Sequence, residues 1–262
     1  MSKRRLQATS ILILGGMVIG FATGIVISAT EPSAATDDAQ LADEAIKRLR
    51  QRSPESYIDT AAIWPAARWP IPACWEASAS AYPTEKRWVE STIDALIEDV
   101  SSVKFSRVQG AAFRWPDCSA ASLGIRIAVA DATPRSDVGY QWRAAAGGGR
   151  IEMPTRMTLN FVLGEGFSPY CDERRQHCVQ VTAVHEMLHA IGFLHEHLRR
   201  DAPPDCKKRF EHLPDVQGNR PEQWSTAYDA DSIMNYCESI YRTPVRLSEE
   251  DVQAIEAFYR LQ

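Results

Sequence analysis

Four of the six histidines in this 262-residue chain fall within thirteen consecutive residues that begin at His185. The segment reads His-Glu-Met-Leu-His-Ala-Ile-Gly-Phe-Leu-His-Glu-His. Positions four apart share one face of a helix, so His185 and His189 can direct their imidazoles at one metal ion, with Glu186 beside them. Gly192 can adopt a left-handed conformation that ends the helix and turns the chain. His195 can then complete a shell of three nitrogen ligands.

Such a shell predicts a particular chemistry. Three protein ligands leave the fourth position of zinc open, which is typical of catalytic and not of structural zinc. Zinc lowers the pKa of its water to about 7, Glu186 can take the proton, and the hydroxide can attack a carbonyl polarised by the same ion. The segment therefore predicts one catalytic Zn²⁺ and hydrolysis of peptide bonds. The alternative is an amphipathic helix that turns its polar residues to solvent.

The two residues that follow the third histidine receive weaker predictions. His197 is expected to be an exposed polar residue and not a ligand, because it lies just beyond the turn. Glu196 is expected either to pair with a nearby cation or to be solvated.

The extended motif, with Gly192, Phe193, His195 and Glu196 in place, resembles that of the astacin family of metzincin metallopeptidases. The resemblance implies that the three histidines are zinc ligands and that Glu186 is the catalytic base. It also implies a metzincin-like zincin fold. In that fold an N-terminal twisted mixed sheet with two helices precedes a smaller, irregular C-terminal subdomain that ends in a helix, and the active-site cleft lies between them.

A second segment, residues 232–236, reads Ser-Ile-Met-Asn-Tyr and resembles the metzincin Met-turn. The resemblance implies that Met234 packs beneath the histidines. It places Tyr236 near the metal, where its hydroxyl can coordinate zinc in the resting enzyme and stabilise the tetrahedral intermediate. A buried tyrosine with another hydrogen-bond partner is the alternative. Asn235 departs from the pattern, since many astacins have histidine there.

Hydrophobic periodicity and turn residues predict an α+β fold. We expect helices at 84–100, 178–193 and 251–259, the last capped by Ser248, and strands at 69–75, 105–113, 124–130 and 157–162. Residues 157–161 resemble the edge strand along which metzincins lay an extended peptide substrate, which would bind by strand addition. The resemblance covers about residues 66 to 262, and we expect the catalytic domain at 67–262.

The N-terminal segment indicates export. Residues 3–5 are basic and residues 6–30 carry no charge, so 1–35 is expected to be a signal peptide or an N-terminal membrane anchor. Either one places the rest of the chain outside the cytoplasm, secreted or anchored. Residues 36–66 are expected to be a linker or a pro-segment. The Phe-x-Gly-Asp sequence of astacin pro-segments is missing from them, and the surroundings of Asp59 do not match it.

An even number of cysteines, six, fits an oxidising compartment and up to three disulfides. Cys171 and Cys178 bracket a short polar loop, so we predict that they pair. Cys206 with Cys237 and Cys74 with Cys118 are the remaining predicted pairs. A cysteine zinc site is disfavoured, because the sequence has no close Cys-x-x-Cys pair.

The net charge of −5 gives no basic face for nucleic acid. We expect a monomer with a protein or peptide substrate, and membrane contact only through an uncleaved N-terminal segment. Two other functions stay open. One is a zinc-containing protein that binds peptides without cutting them, and the other is a different hydrolase of the metzincin type, such as an amidase.

Overall fold

The computed structural model describes residues 57–164, 169–210, 223–224, 227–237, 239–242 and 245–260. Contacts divide the chain into two units, Met1–Gln40 and Leu41–Gln262, and every described residue lies in the second unit. The expected export segment, 1–35, lies outside the described residues. Among the helices that the structure describes, none has both the length and the apolarity required to cross a bilayer.

Helices and strands alternate irregularly along the chain, and the predicted α+β class is confirmed. The helices are α1 (Pro83–Ile93), α2 (Arg175–Ala190), α3 (Pro204–Phe210) and α4 (Glu249–Tyr259). The strands are β1 (Ile58–Asp59), β2 (Ala73–Trp75), β3 (Ile125–Val129), β4 (Arg135–Ser136), β5 (Gln141–Ala144), β6 (Arg150–Met153), β7 (Thr155–Leu159) and β8 (Gln223–Trp224). The described part after α2 is mostly irregular and closes with α4, as predicted.

The main sheet has four strands in the order β2-β3-β7-β4. The first three run parallel and β4 runs antiparallel to β7, so the sheet is mixed. In β3, Ile125, Ile127 and Val129 are buried while the residues between them are less so, which is the two-residue period of a strand with one face on the core. The other face of β3 carries Arg126 and Ala128.

The prediction that 157–161 forms an edge strand is wrong. These residues belong largely to β7, which lies between β3 and β4. The edge on that side of the sheet is β4, a strand of two residues, Arg135–Ser136. A strand that short has no periodicity to detect, so the sequence could not reveal that it covers β7.

The predicted strand 105–113 is also wrong. Phe105 makes a single bridge with Ile71, and the amide of Ser106 donates to the carbonyl of Ile71. Beyond that point the chain turns back locally, because the amide of Val108 donates to Arg114 and Gly110 has a φ of 74°. The pairing ends before a strand can form.

Helix α2 is buried along most of its length and positions the candidate site. It packs against α1 on one side and against β7 and β4 of the sheet. From Cys178 to Ala190 every residue except Gln180 is buried. A helix buried on nearly all sides holds its side chains in fixed directions, which a metal site requires.

The described part of the 36–66 segment packs against the end of α2. Ile58 bridges Phe193, the amide of Asp59 donates to the Gly192 carbonyl at 2.9 Å, and the indole of Trp64 donates to the Ala190 carbonyl at 2.7 Å. Residues 57–66 therefore share the core of the domain that we expected to begin at residue 67. The division into linker, pro-segment and catalytic domain stays a prediction.

All three predicted disulfides are confirmed. Cysteines pair as Cys74–Cys118, Cys171–Cys178 and Cys206–Cys237. None of the cysteines is left as a thiol. The pairings fit an oxidising compartment.

Candidate active site

The turn after α2 brings the third histidine back to the first two. Gly192 has a φ of 104°, a left-handed conformation that glycine adopts without steric cost. Its amide donates to the His189 carbonyl at 2.8 Å, and the amide of Phe193 donates to the Leu188 carbonyl at 2.9 Å. These bonds satisfy the last carbonyls of the helix. The chain then runs back so that His195 faces the helix.

The three imidazoles converge on one point. The Nε2 atom of His195 lies 3.1 Å from Nε2 of His185 and 3.0 Å from Nε2 of His189. In a tetrahedral site with Zn–N bonds of about 2.0–2.1 Å, two ligand nitrogens are about 3.3 Å apart. Among the described residues, these three form the one group of histidine, cysteine and acidic side chains whose ligand atoms converge in this way.

Backbone carbonyls orient two of the rings. Nδ1 of His185 lies 2.9 Å from the carbonyl oxygen of Ile233, and Nδ1 of His189 lies 2.8 Å from that of Phe193. A carbonyl only accepts, so each Nδ1 carries the proton. In a neutral ring the Nε2 lone pair is then directed at the centre of the cluster.

Electrostatics explain why this cluster fits a metal ion. Burial is the main cause that lowers the pKa of His185 to about 3 and that of His189 to about 4, so both rings are neutral at neutral pH. Two Nε2 lone pairs then face the Nε2 of His195, which can offer a single proton. A cation satisfies all three nitrogens at once, and three imidazoles are a donor set that zinc prefers.

Glu186 lies beside the cluster without a neutralising partner. It is 4% exposed, and its Oε2 atom has no hydrogen-bond partner among the described residues. Burial raises the pKa of this carboxyl to about 8. A buried carboxyl with an unused oxygen next to a metal-ligand cluster is suited to exchange a proton there.

Tyr236 joins the cluster from the predicted Met-turn. Its hydroxyl lies 3.0 Å from Nε2 of His185, and its ring lies nearly parallel to that imidazole, at 12°. Burial raises the pKa of the phenol well above its ordinary value, so the hydroxyl keeps its proton. Met234 is buried and its carbonyl accepts from the amide of Glu196 at 3.0 Å, which ties the two segments together.

Sequence analysis missed the role of Asp251 as a support of the site. This fully buried carboxylate accepts from the hydroxyl of Ser232 at 2.8 Å and from the amide of Ile233 at 3.2 Å. It also closes a capping box with Ser248 at the start of α4. The Ser-x-x-Asp spacing signalled the cap, but not that the same carboxylate holds the backbone that orients His185.

Glu196 pairs with a cation, one of the two outcomes expected. Its carboxylate lies 3.3 Å from the Nε atom of Arg199 and accepts from the amide of Asp229 at 2.8 Å. Arg199 is also bonded to Asp201 at 2.9 Å. Both members of the Glu196–Arg199 pair are almost fully buried, so each compensates a charge that would otherwise be costly to bury.

The expectation that His197 is exposed is wrong. The residue is 3% exposed, because the segment after the turn folds inward under α3. Its ring packs among those of His195, Tyr236 and Phe210. His197 is not among the three converging ligand atoms.

One family model matches the segment of the chain that holds this site. Residues 174–247 match the model of the astacin peptidase family. Zinc metalloproteinase nas-5 of Caenorhabditis elegans is 30% identical over 82 residues, 28% of this chain and 23% of that protein. Low choriolytic enzyme of Oryzias latipes is 35% identical over 65 residues, 22% of this chain and 24% of that protein. This chain thus spans about a quarter of the curated relatives' length. The structure of myroilysin aligns with a TM-score of 0.46 and 19% identity, over 78% of this chain and 98% of that one.

Proposed function

We propose that this chain, whose residues 174–247 match the astacin peptidase family, is an extracytoplasmic zinc-dependent endopeptidase. His185, His189 and His195 would hold a single catalytic zinc ion, and Glu186 would be the general base. One observation carries the proposal. Three buried imidazole nitrogens converge beside a buried carboxyl group, one oxygen of which has no hydrogen-bond partner in the described part of the chain.

The chemistry of hydrolysis divides between the ion and the protein. A bound zinc ion supplies Lewis acidity, which polarises a peptide carbonyl and acidifies a water molecule. Glu186 takes the proton from the attacking water at its Oε2 atom. It later delivers that proton to the leaving amine nitrogen, so the carboxylate is regenerated in each turnover. A cation held by the three nitrogens would favour the ionised form of Glu186, which burial alone disfavours.

Tyr236 supplies a hydrogen-bond donor to the same centre. Because its pKa is raised by burial, the phenol stays protonated at neutral pH. Its hydroxyl lies 3.0 Å from the ligand nitrogen of His185, and from there it would donate to the peptide oxygen on which negative charge develops during attack. A positioned donor at that point stabilises the transition state more than the bound substrate.

The substrate would be a protein or peptide, bound by a monomer. An extended peptide is recognised by addition to a sheet edge, and in this sheet the edge on the β7 side is β4. We assign backbone recognition to β4 in place of 157–161. Three disulfides support a location outside the cytoplasm. Signal cleavage or anchoring by 1–35 belongs to the same proposal.

Two alternatives are a zinc-containing protein that binds peptides without cutting them and another hydrolase of the metzincin type. Glu186 favours catalysis, because a binding protein has no use for a buried carboxylate beside an open metal position. The test is cleavage of an unfolded protein by the wild type and by Glu186→Gln. We expect internal cuts with the wild type and none with the variant, at equal zinc content. Zinc binding without any cleavage would support the binding protein, and cleavage of amides outside peptides alone would support the other hydrolase.

A further inference from the structure

The ring of Tyr236 is packed by two metal-ligand candidates and by two residues that have no part in holding a metal. Two of its neighbours are the ligand candidates His185 and His195, at centroid distances of 5.1 and 4.7 Å. The other two are His197 at 5.0 Å and Phe210 at 6.1 Å. The His197 ring lies at 26° to the phenol, which makes it the second near-parallel imidazole on Tyr236.

His197 acts in this cluster through its ring surface. The side chain is buried, and its Nδ1 atom has no hydrogen-bond partner among the described residues. A buried polar nitrogen without a partner is costly. The ring gains a hydrogen bond to the Met234 backbone and contact with three aromatic rings, His195, Tyr236 and Phe210, at 4.8 to 5.0 Å. Packing, and not a hydrogen bond, is therefore what His197 offers Tyr236.

Helix α3 anchors this packing covalently. Phe210 ends the helix and contacts His197 at 4.8 Å. Cys206, one turn earlier, is bonded to Cys237, the residue directly after Tyr236. The guanidinium of Arg209 also donates to the Cys237 carbonyl at 2.6 Å. The backbone on one side of the phenol is thus attached to the helix whose last ring supports His197.

We propose that His197 is a positioning residue that holds the phenol of Tyr236 at the metal centre, supported by Phe210 of α3. The inference rests on the proposed function, since it takes Tyr236 to act in catalysis. It assigns to His197 neither metal coordination nor proton transfer. Loss of the imidazole surface leaves the phenol without one of its two near-parallel partners, so the hydroxyl moves away from His185.

The test compares His197→Phe, which keeps an aromatic surface without nitrogens, with His197→Ala, which removes the ring. In crystal structures we expect the Tyr236 hydroxyl to stay near 3.0 Å from His185 Nε2 in the first variant and to shift or become disordered in the second. We expect kcat to fall on the order of tenfold to a hundredfold in His197→Ala, with KM little changed. A displacement of a catalytic group by about 1 Å lowers the rate by that much. His197→Phe should retain nearly full kcat.

A second pair of variants shows whether His197 acts through Tyr236. In a Tyr236→Phe background, His197→Ala should cause no further loss of kcat, since the hydroxyl it positions is gone. Phe210→Ala gives an independent variant if His197→Ala does not fold, and it should displace the phenol in the same direction.

Three results would overturn the inference. The first is a Tyr236 hydroxyl that stays in place in both His197→Ala and Phe210→Ala. The second is an equal loss of kcat in His197→Phe and His197→Ala. The third is a loss of kcat in His197→Ala that adds to the loss in Tyr236→Phe. A chain that cleaves nothing would refute the proposed function, and the crystal structures would still decide where the phenol lies.

Discussion

The Nδ1 atom of His185 lies 2.9 Å from the carbonyl oxygen of Ile233, and this contact connects the three-histidine cluster to helix α4. The amide of Ile233 donates to Asp251, the N3 residue of α4. One peptide segment therefore orients a ligand candidate through its carbonyl and is itself held through its amide. Replacing groups that orient a metal-ligating histidine typically lowers metal affinity by about 10- to 100-fold.

Asp251→Asn should weaken zinc binding by about 10- to 100-fold. The substitution puts an amide NH₂ where the carboxylate accepts from Ser232 and Ile233, so the Ile233 carbonyl is no longer fixed against His185. Competition with a chromogenic chelator measures the affinity. Glu249→Gln, an exposed change in the same first helical turn, is the control and should leave the affinity unaltered. If Asp251→Asn lowers only the melting temperature and not zinc affinity, Asp251 is a helix cap alone.

The pKa of Glu186 predicts a pH dependence of the zinc-free protein. Burial raises this pKa from 4.5 to about 8. Between these pH values the Glu186 carboxyl is ionised in the unfolded chain, whereas in the folded chain it keeps its proton. Stability present below pH 4.5 is therefore lost as pH rises toward 8. Glu186→Gln has no charge to bury, so its free energy of unfolding should exceed that of the wild type. The difference should grow by on the order of a few kcal/mol from about pH 5 to about pH 8.

Urea unfolding of chelator-treated protein at several pH values measures that difference. A constant difference across the range would show that Glu186 is already ionised, and so compensated, in the folded protein.

Removal of the Cys206–Cys237 disulfide should reduce catalysis more than stability alone explains. Replacing both cysteines by serine frees the residue next to Tyr236 from α3. The matched control is the double replacement of Cys74 and Cys118. The closed loops are similar, with separations of 31 and 44 residues, so their loop-entropy contributions differ by only about 0.3 kcal/mol.

We expect similar falls in melting temperature for the two double variants, and a loss of kcat at least about tenfold larger for the first, because only it frees the residue beside Tyr236. Equal losses of kcat after correction for folded fraction would remove the disulfide from any role at the site.

Zinc should also stabilise the fold. It binds the folded cluster and not the unfolded chain, so a hundredfold excess over its dissociation constant contributes about 2.7 kcal/mol. Calorimetry with zinc and with chelator measures the difference in melting temperature and in the free energy of unfolding. His185→Ala, which removes one ligand, should lose most of the zinc-dependent part. A shift that persists in His185→Ala would place the zinc elsewhere.

The sequence predicted the parts of the site that are local. His185, Glu186 and His189 lie on two successive turns of one helix, and the turn at Gly192 brings His195 back within a few residues. Their spacing in the sequence is therefore enough to predict that they converge. Tyr236 lies far from them along the chain, and its place near the metal came from the resemblance to the Met-turn. The three cysteine pairs were also predicted correctly, but only Cys171–Cys178 had an argument from spacing, the short polar loop between the two residues.

What the sequence could not predict depends on contacts between distant segments. Hydrophobic periodicity does not determine which strands pair, so the positions of β7 and β4 in the sheet could not be predicted from it. His197 follows a turn and was expected to be exposed, but it is buried against rings of other segments, including Phe210 of α3. Asp251 reads as a helix cap, and its second role follows from the return of residues 232–233 to the start of α4.

The most direct test of the central claim is reconstitution of the zinc-free protein with measured amounts of Zn²⁺ while cleavage of an unfolded protein is followed. We expect no cleavage after complete removal of the metal, and activity that rises in proportion to added zinc and levels off at one equivalent per chain. Cleavage that persists without metal, or a folded chain that binds no zinc, would contradict a catalytic zinc held by His185, His189 and His195.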